Sequence, residues 1–131
     1  MKQVSKILII ESDAGLLSTL SEELEQNGYE VDLSTTGGEA LRKSENQPDL
    51  IILDGILSDI DGLALLAKIK TENNTQKIPI ILLLESGDES RAISANELGA
   101  TASVVKTRNG LSSIMIAVEK ILGNKRENVD G

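Results

Sequence analysis

The sequence predicts an α/β fold in which a parallel sheet carries helices on both faces. Three apolar runs without polar alternation, at 7–10, 50–53 and 80–84, are typical of strands that are buried on both sides. Helical patterns separate these runs, and the linkers are short. The alternation indicates a doubly wound sheet, because each helix returns the chain to start the next parallel strand.

Two more strand signals complete a set of five. Residues 29–33 alternate, with Tyr29, Val31 and Leu33 on one side, so we expect a strand nearer the edge of the sheet that buries these three side chains. Residues 102–105 form a short fifth strand signal. The sequence therefore predicts five strands.

Helical stripes and end signals lie between the strands. The clearest apolar stripes are Leu16, Leu17, Leu20 and Leu24; Leu63, Leu66 and Ile69; and Leu111, Ile114, Met115, Val118, Ile121 and Leu122. Three glycines are predicted to end helices: Gly28, Gly99 and Gly123. Four short polar side chains are placed to cap helix starts: Asp13, Asp61, Asp88 and Asn109.

Length and composition predict one compact domain. The chain has 131 residues with 40% hydrophobic content, enough for a full core. We expect a domain over 1–123 and a disordered polar tail over 124–131. The sequence shows no internal repeat, no low-complexity linker and no room for a second output domain, so for a complete chain of this length output is expected to occur by binding.

The charge and the missing residue types exclude several function classes. A net charge of -8 opposes direct binding to nucleic acid or to an anionic membrane. Without cysteine or histidine, thiolate catalysis, an imidazole base and cysteine-ligated metals are excluded, so a metal must be held by oxygen. No apolar run approaches the roughly 20 residues that cross a bilayer, which predicts a cytoplasmic protein.

Charged residues follow three of the predicted strands at their carboxyl ends. Glu11 follows the first strand, Asp54 the third and Lys106 the fifth. Because ligands of open α/β sheets collect at this edge, we expect a carboxylate pocket with an ammonium group beside it. Asp54 is the potential phosphoacceptor.

The order and spacing of several motifs closely resemble a response-regulator receiver domain, of the chemotaxis-regulator type, over residues 4–123. The motifs are Lys6-Ile7-Leu8-Ile9-Ile10-Glu11, Gly28-Tyr29-Glu30-Val31, Gly38-Glu39-Ala40-Leu41, Asp49-Leu50-Ile51-Ile52-Leu53-Asp54, Asp61-Gly62, Ile78-Pro79-Ile80 and Gly99-Ala100. The resemblance implies a flavodoxin-like (βα)5 sandwich with strand order 2-1-3-4-5.

The same resemblance implies a site and its partners. Asp54 would be the nucleophile that takes a phosphoryl group from a histidine kinase or phosphotransfer protein, and Lys106 would offset the phosphoryl charge. Mg²⁺ would be held by Glu11, Asp54 and the backbone carbonyl of Ile56. At most self-phosphorylation and autodephosphorylation are implied, with a downstream protein target and no separate substrate.

Several positions depart from the pattern of the family. Ser12 stands where a metal-binding aspartate is usual, so weak metal binding is expected. Ser12 and Asp13 stay open as additional metal ligands, although Asp13, at a helix start, is expected to cap the backbone instead. Leu84 replaces the usual hydroxyl residue and Ser103 the usual aromatic switch residue. Ser86 offers a hydroxyl only if its loop shifts.

Two interpretations therefore stay open. In the first, Asp54 is phosphorylated and the domain signals by changing a surface near its fourth and fifth strands. In the second, the chain is a pseudo-receiver that binds proteins independently of phosphorylation, and Asp54 and Lys106 form a structural ion pair.

Rival classes have weaker support. Residues 59–62, Asp-Ile-Asp-Gly, superficially resemble the nucleophile motif of haloacid-dehalogenase-type phosphatases, but they do not directly follow a strand. A flavodoxin-like cofactor binder would need a glycine-rich phosphate cradle after the first strand, where this chain has acidic residues. The polar segment 85–91 is expected to be a mobile loop that leads into a helix and contributes a partner surface.

Overall fold

The computed structural model describes residues 4–107 and 110–123. Strands and helices alternate along the chain. They are β1 (Lys6–Ile10), α1 (Ala14–Gln26), β2 (Glu30–Ser34), α2 (Gly37–Ser44), β3 (Leu50–Asp54), α3 (Gly62–Thr71), β4 (Ile80–Leu84), α4 (Glu89–Glu97), β5 (Ala102–Val105) and α5 (Gly110–Val118), which continues into a π-helical turn (Glu119–Gly123). The five predicted strands are confirmed.

The strands form one parallel sheet in the order β2-β1-β3-β4-β5. This order confirms the doubly wound arrangement. β1 and β3 lie side by side in the middle of the sheet, and β3 and β4 are buried along their whole length. Unbroken apolar runs form these central strands because helices cover both of their faces.

Two apolar clusters form the core, one on each face of the sheet. Alternate side chains of a strand point to opposite faces, so Leu8 and Ile10 join the cluster beneath α3, whereas Ile7 and Ile9 join the cluster beneath α1 and α5. The stripes predicted for the helices supply the other half of each cluster. The carboxyl edge of the sheet is thereby held rigidly between two packed layers.

The predicted burial of β2 is wrong at one position. Tyr29 is buried and Val31 is partly buried, but Leu33 is 36% exposed. Tyr29 and Val31 pack against the cluster beneath α1, while Leu33 is not part of that cluster. At an edge strand, the covering helix protects only part of the face, which a pattern of alternation does not reveal.

The helix ends agree largely with the sequence. Gly28 and Gly99 follow α1 and α4 with φ of 89° and 104°, the left-handed backbone that favours glycine. Gly123 is the last residue of the π-helical turn; the sequence does not predict the π-helical form, and the stop at Gly123 stays a prediction. Asp88 precedes α4 without making a side-chain cap bond, so that capping prediction is wrong.

Two sequence predictions lie outside the described residues: the cap at Asn109 and the tail at 124–131. Within 4–107 and 110–123, none of the helices combines the length and the apolar character that crossing a membrane would require.

Candidate functional site

Three charged side chains meet at the carboxyl edge of the sheet. Asp54 is the last residue of β3, Glu11 directly follows β1, and Lys106 directly follows β5. The Nζ atom of Lys106 lies 2.8 Å from Oε1 of Glu11 and 3.0 Å from Oδ1 of Asp54. Because the strands are parallel, residues far apart in sequence are brought to one edge. The structure thus joins the three residues that the sequence placed there.

Asp54 is an ionised carboxylate in a buried position. It is 3% exposed, and its Oδ1 accepts hydrogen bonds from the Ile56 amide at 3.1 Å and from Lys106. Burial alone would raise its pKa, but hydrogen bonds with Glu11, the Ile56 amide and Lys106 outweigh that effect and hold the pKa below its ordinary value. Asp54 therefore carries a negative charge at neutral pH.

In Glu11, unlike Asp54, the effects that raise the pKa outweigh those that lower it. Its side chain is fully buried, and burial, together with a hydrogen bond shared with Asp54, raises its pKa to about 7 although Lys106 opposes the rise. Oε2 accepts the amide of Asp13 at 3.3 Å, while Oε1 pairs with the charge of Lys106 but has no hydrogen bond of good geometry. Near neutral pH, both the protonated and the ionised form of Glu11 are therefore populated.

Lys106 is the cation of the pocket. Burial would lower its pKa, but Glu11 and Asp54 raise it above the ordinary value, so the ammonium stays charged. A third carboxylate, Oε1 of Glu85, lies 3.8 Å from Nζ and belongs to a side chain that is 53% exposed. Lys106 is therefore shared between two buried acids and one at the surface.

Gly62 allows the chain to pack directly behind Asp54. A Cβ atom on Gly62 would lie 2.4 Å from the backbone oxygen of Asp54, a distance that no side chain tolerates. The amide of Gly62 also donates to the carbonyl of Gly55 at 3.0 Å. The Asp61-Gly62 pair thus closes the β3–α3 loop, residues 55–61, against the end of β3.

The positions suggested for a metal provide only oxygen donors. Glu11 and Asp54 supply two carboxylates, Ser12 is exposed, and Asp13 caps α1 by accepting the amides of Gly15 at 2.9 Å and Leu16 at 3.2 Å, which confirms the predicted cap. In residues 4–107 and 110–123, no group of three acidic side chains is placed to hold a metal.

The donor set nevertheless fits a hard divalent cation. Oε1 of Glu11 lies 2.8 Å from the Lys106 ammonium but makes no hydrogen bond of good geometry, so this buried oxygen can take a second positive partner. Mg²⁺ binds through one or two carboxylates and keeps several waters, which matches two acids and a backbone carbonyl at Ile56.

The two atypical switch positions carry no polar contact to Asp54 among the hydrogen bonds of the described residues. Leu84 is 2% exposed and packs in the apolar cluster beneath α3. Ser103 is half-buried in β5, and Ser86 is exposed in the turn before α4. Ser86 is thus not drawn into the pocket.

Sequence reasoning missed Arg91, which binds the β3–α3 loop. Its Nη2 atom donates to the carbonyl of Gly55 at 3.0 Å and to Oδ1 of Asp61. Residues 85–88 lead into α4 as the sequence predicts, and Arg91 ties the start of that helix to the loop. The partner surface over 85–91 stays a prediction. The available signal is an arginine in the first turn of the helix that follows β4.

The phosphatase-like motif is explained by helix starts. Asp59 accepts the amide of Gly37 at 3.0 Å, at the start of α2, and Asp61 accepts the amide of Leu63 at 3.2 Å, at the start of α3. Since the two carboxylates serve different helices, they do not form a paired metal site.

Comparisons with known proteins agree with this architecture. A model of the response regulator receiver domain matches residues 7–118. The phosphate regulon transcriptional regulatory protein PhoB of Rhizobium meliloti is 37% identical over 102 residues, which cover 77% of this chain and 45% of that protein. The alkaline phosphatase synthesis transcriptional regulatory protein PhoP of Bacillus subtilis is 32% identical, with coverage of 77% and 42%. The chain thus spans less than half of these two relatives.

Solved structures of response regulators are also similar to this chain. A putative response regulator from Chloroflexus aurantiacus superposes with a TM-score of 0.85 at 31% identity, covering 92% of this chain and 99% of that one. The Mn(2+)-bound form of response regulator Rcp1 superposes with a TM-score of 0.75 at 27% identity, covering 88% and 92%. The chain therefore belongs to the receiver domain family of two-component response regulators.

Proposed function

We propose that this chain accepts a phosphoryl group on Asp54 from a histidine kinase or a phosphotransfer protein, and that it signals by altered protein binding. The observation that carries the proposal is an ionised carboxylate at the end of β3 with an ammonium group 3.0 Å away. A nucleophile and a charge-stabilising cation are the two parts that phosphoryl transfer needs most.

The pocket divides these tasks between its side chains. An oxygen of Asp54 attacks phosphorus, the bond from phosphorus to the imidazole nitrogen of the donor breaks, and the imidazole leaves with the electron pair and takes up a proton. The Ile56 amide fixes the carboxylate by binding Oδ1. Lys106 shifts its charge from Glu11 toward the phosphoryl oxygens, which carry the negative charge in the transition state.

A divalent cation, Mg²⁺ by preference, belongs to this proposal as a weakly held partner. Glu11, Asp54, the carbonyl of Ile56 and the hydroxyl of Ser12 would hold it, and it would supply neutralisation of the phosphoryl oxygens. The similarity to a Mn(2+)-bound response regulator supports such a site. Because the pKa of Glu11 is raised to about 7, a cation held there would compete with the proton of that carboxyl group.

The proposed partners follow from the family. The two curated relatives are transcriptional regulators more than twice as long as their matched region, so the downstream target is a protein or domain beyond this unit. The net charge of -8 opposes direct contact of this domain with nucleic acid or with an anionic membrane. We place the reaction in the cytoplasm, with no turnover beyond self-phosphorylation and autodephosphorylation.

A second candidate is the phosphorylation-independent pseudo-receiver. It is favoured by the neutral Ser12, by the apolar Leu84, and by a Lys106 that already pairs with two buried acids. In that function the ion pairs hold the ends of β1, β3 and β5 together, and partners recognise a constant surface.

Intact-mass measurement after incubation with a small phosphodonor and Mg²⁺ separates the two candidates. The natural chain is expected to gain one phosphoryl group and Asp54→Asn none. Asp59→Asn, which removes a carboxylate from the same loop, is the matched control and is expected to gain the group. Absence of an adduct on the natural chain under excess donor and fast quenching would establish the pseudo-receiver instead.

A further inference from the structure

Arg91 holds both ends of the β3–α3 loop. It lies in the first turn of α4, and its Nη2 atom reaches Gly55, the first residue of the loop, and Asp61, the last. Its side chain is 26% exposed, so the contact is partly shielded from water. A guanidinium group stays protonated at all relevant pH values and suits a carbonyl and a carboxylate together.

The loop is anchored on its other side as well. Asp59 accepts the amide of Gly37 at 3.0 Å, and a Cβ atom on Gly37 would lie 2.3 Å from the side chain of Ile60. The middle of the loop is thus fixed against α2. A displacement that begins at Asp54 is therefore directed toward the Arg91 side, where a side chain of α4 forms the contact.

The Arg91 contact is also one that can rearrange. The Nε atom of Arg91 is buried without an acceptor, which disfavours the present arrangement. Asp61 is 53% exposed, so water can replace the guanidinium if Arg91 leaves. Leu84 has no hydroxyl group, so it provides no second polar contact that would respond to the charge at residue 54.

We propose that Arg91 is a positioning residue that passes the charge at residue 54 to α4, in place of the hydroxyl that Leu84 does not provide. The phosphoryl form of this inference rests on the proposed function of Asp54. Phosphorylation replaces the single negative charge of Asp54 with a dianionic phosphoryl group next to Gly55, so the local negative charge increases by about one unit. That charge draws the guanidinium away from Asp61, and the first turn of α4 moves with it.

Hydrogen exchange of the α4 amides, followed by mass spectrometry, tests the inference in two arms. The first arm compares the natural chain with and without the small phosphodonor and Mg²⁺. The second arm compares the natural chain with Asp54→Asn, which changes the charge at residue 54 without any phosphoryl group. In each arm we expect the exchange rates of residues 89–93 to change by at least about twofold. A twofold change corresponds to the smallest coupling free energies usually found between two sites in a protein.

The same arms are then repeated in Arg91→Gln, in Arg91→Lys and in Arg42→Gln. Arg42 is the matched control, since its side chain is 73% exposed on α2 and pairs only within its own helix. We expect the response of α4 to vanish in Arg91→Gln, to be weakened in Arg91→Lys, and to persist in Arg42→Gln. Persistence of the full response in Arg91→Gln would overturn the inference, and so would an unresponsive α4 in the Asp54→Asn arm.

These measurements distinguish a failure of the proposed phosphorylation of Asp54 from a failure of the proposed role of Arg91. If the natural chain forms no adduct, phosphorylation of Asp54 is disproved, while the Asp54→Asn arm still decides whether Arg91 couples residue 54 to α4. If the adduct forms in Arg91→Gln and α4 still responds fully, phosphorylation stands and the role of Arg91 is disproved. A merely structural arginine would lower stability in Arg91→Gln without removing the response to charge.

Discussion

The two sides of the carboxyl edge differ in how many of the residues usual in receiver domains they contain. On the side of β1, β3 and β5, the structure joins Glu11, Asp54 and Lys106 within 3.0 Å contacts. On the side of β4 and α4, the usual hydroxyl position holds the buried Leu84, and the polar contact comes from Arg91 instead. The acceptor side thus has a carboxylate and a cation in contact, while the proposed relay to α4 would rest on a guanidinium group instead of a hydroxyl.

This difference reflects what each side must do. A phosphoryl acceptor needs one carboxylate and a cation at fixed distance, so few residue types serve there. A relay needs only an element with two arrangements that respond to charge, and several polar side chains meet that need. A receiver can therefore lack the usual relay residues, and here also the aspartate replaced by Ser12, and still hold its carboxylate and cation in contact.

The largest expected effect comes from removing the shared cation. Lys106→Met leaves the buried Glu11 and Asp54 without their counter-charge, so we expect the free energy of unfolding to fall by about 3 kcal/mol and phosphorylation to be lost. Urea denaturation measures the stability. Lys68→Met, at an exposed position of α3, is the control. An equal loss of unfolding free energy in both variants would show that Glu11 and Asp54 do not depend on the charge of Lys106.

The next prediction concerns Leu84, the apolar residue at the end of β4 where a hydroxyl is usual. Leu84→Thr removes buried apolar volume and adds a hydroxyl, so we expect a loss of about 2 kcal/mol in the free energy of unfolding. Combined with Arg91→Gln, it is expected to restore part of the α4 exchange response, because the hydroxyl can bind a phosphoryl oxygen. Leu82→Thr, in the same strand and cluster, should destabilise without restoring it. Restoration by both threonines would contradict this explanation.

A pH effect tests the electrostatics of the acceptor side. The pKa of Glu11 is about 7 in the folded chain against an ordinary 4.5, so between these values the folded chain binds more protons than the unfolded chain. The free energy of unfolding should therefore fall as pH rises through this window, by at most about 1.4 kcal/mol per pH unit. Asp54 does not mask this slope, since its pKa is lowered below 3.8.

Urea denaturation at several pH values, in buffer with a metal chelator, measures that slope. Glu11→Gln should flatten it, and Glu22→Gln, at an exposed position of α1, should leave it unchanged. A slope that survives in Glu11→Gln would assign the proton to another group.

The smallest expected effect concerns the cation. Ser12→Asp adds a carboxylate next to Glu11, so we expect Mg²⁺ to bind about tenfold more tightly, because affinity rises with the number of charged ligands. Calorimetric titration measures the change. Asp13→Ser should not weaken binding, since Asp13 caps α1; a loss of affinity there would mean that Asp13, and not Ser12, faces the cation.

The fold and the acceptor side could be predicted from the sequence because both depend on local patterns. Apolar runs mark the strands, and a charged residue directly after a strand must lie at its carboxyl edge, which located Glu11, Asp54 and Lys106. The exposure of Leu33 and the contacts of Arg91 could not be predicted. They depend on how far α1 covers the sheet edge and on which loop faces α4, and these are properties of tertiary packing.

The most direct test of the central claim is to locate the phosphoryl group. After incubation with a small phosphodonor and Mg²⁺, reduction with borohydride converts an aspartyl phosphate into homoserine, which peptide mass spectrometry assigns to one residue. Our account predicts homoserine at position 54. Homoserine at another aspartate, or at none while the donor is in excess, would contradict it.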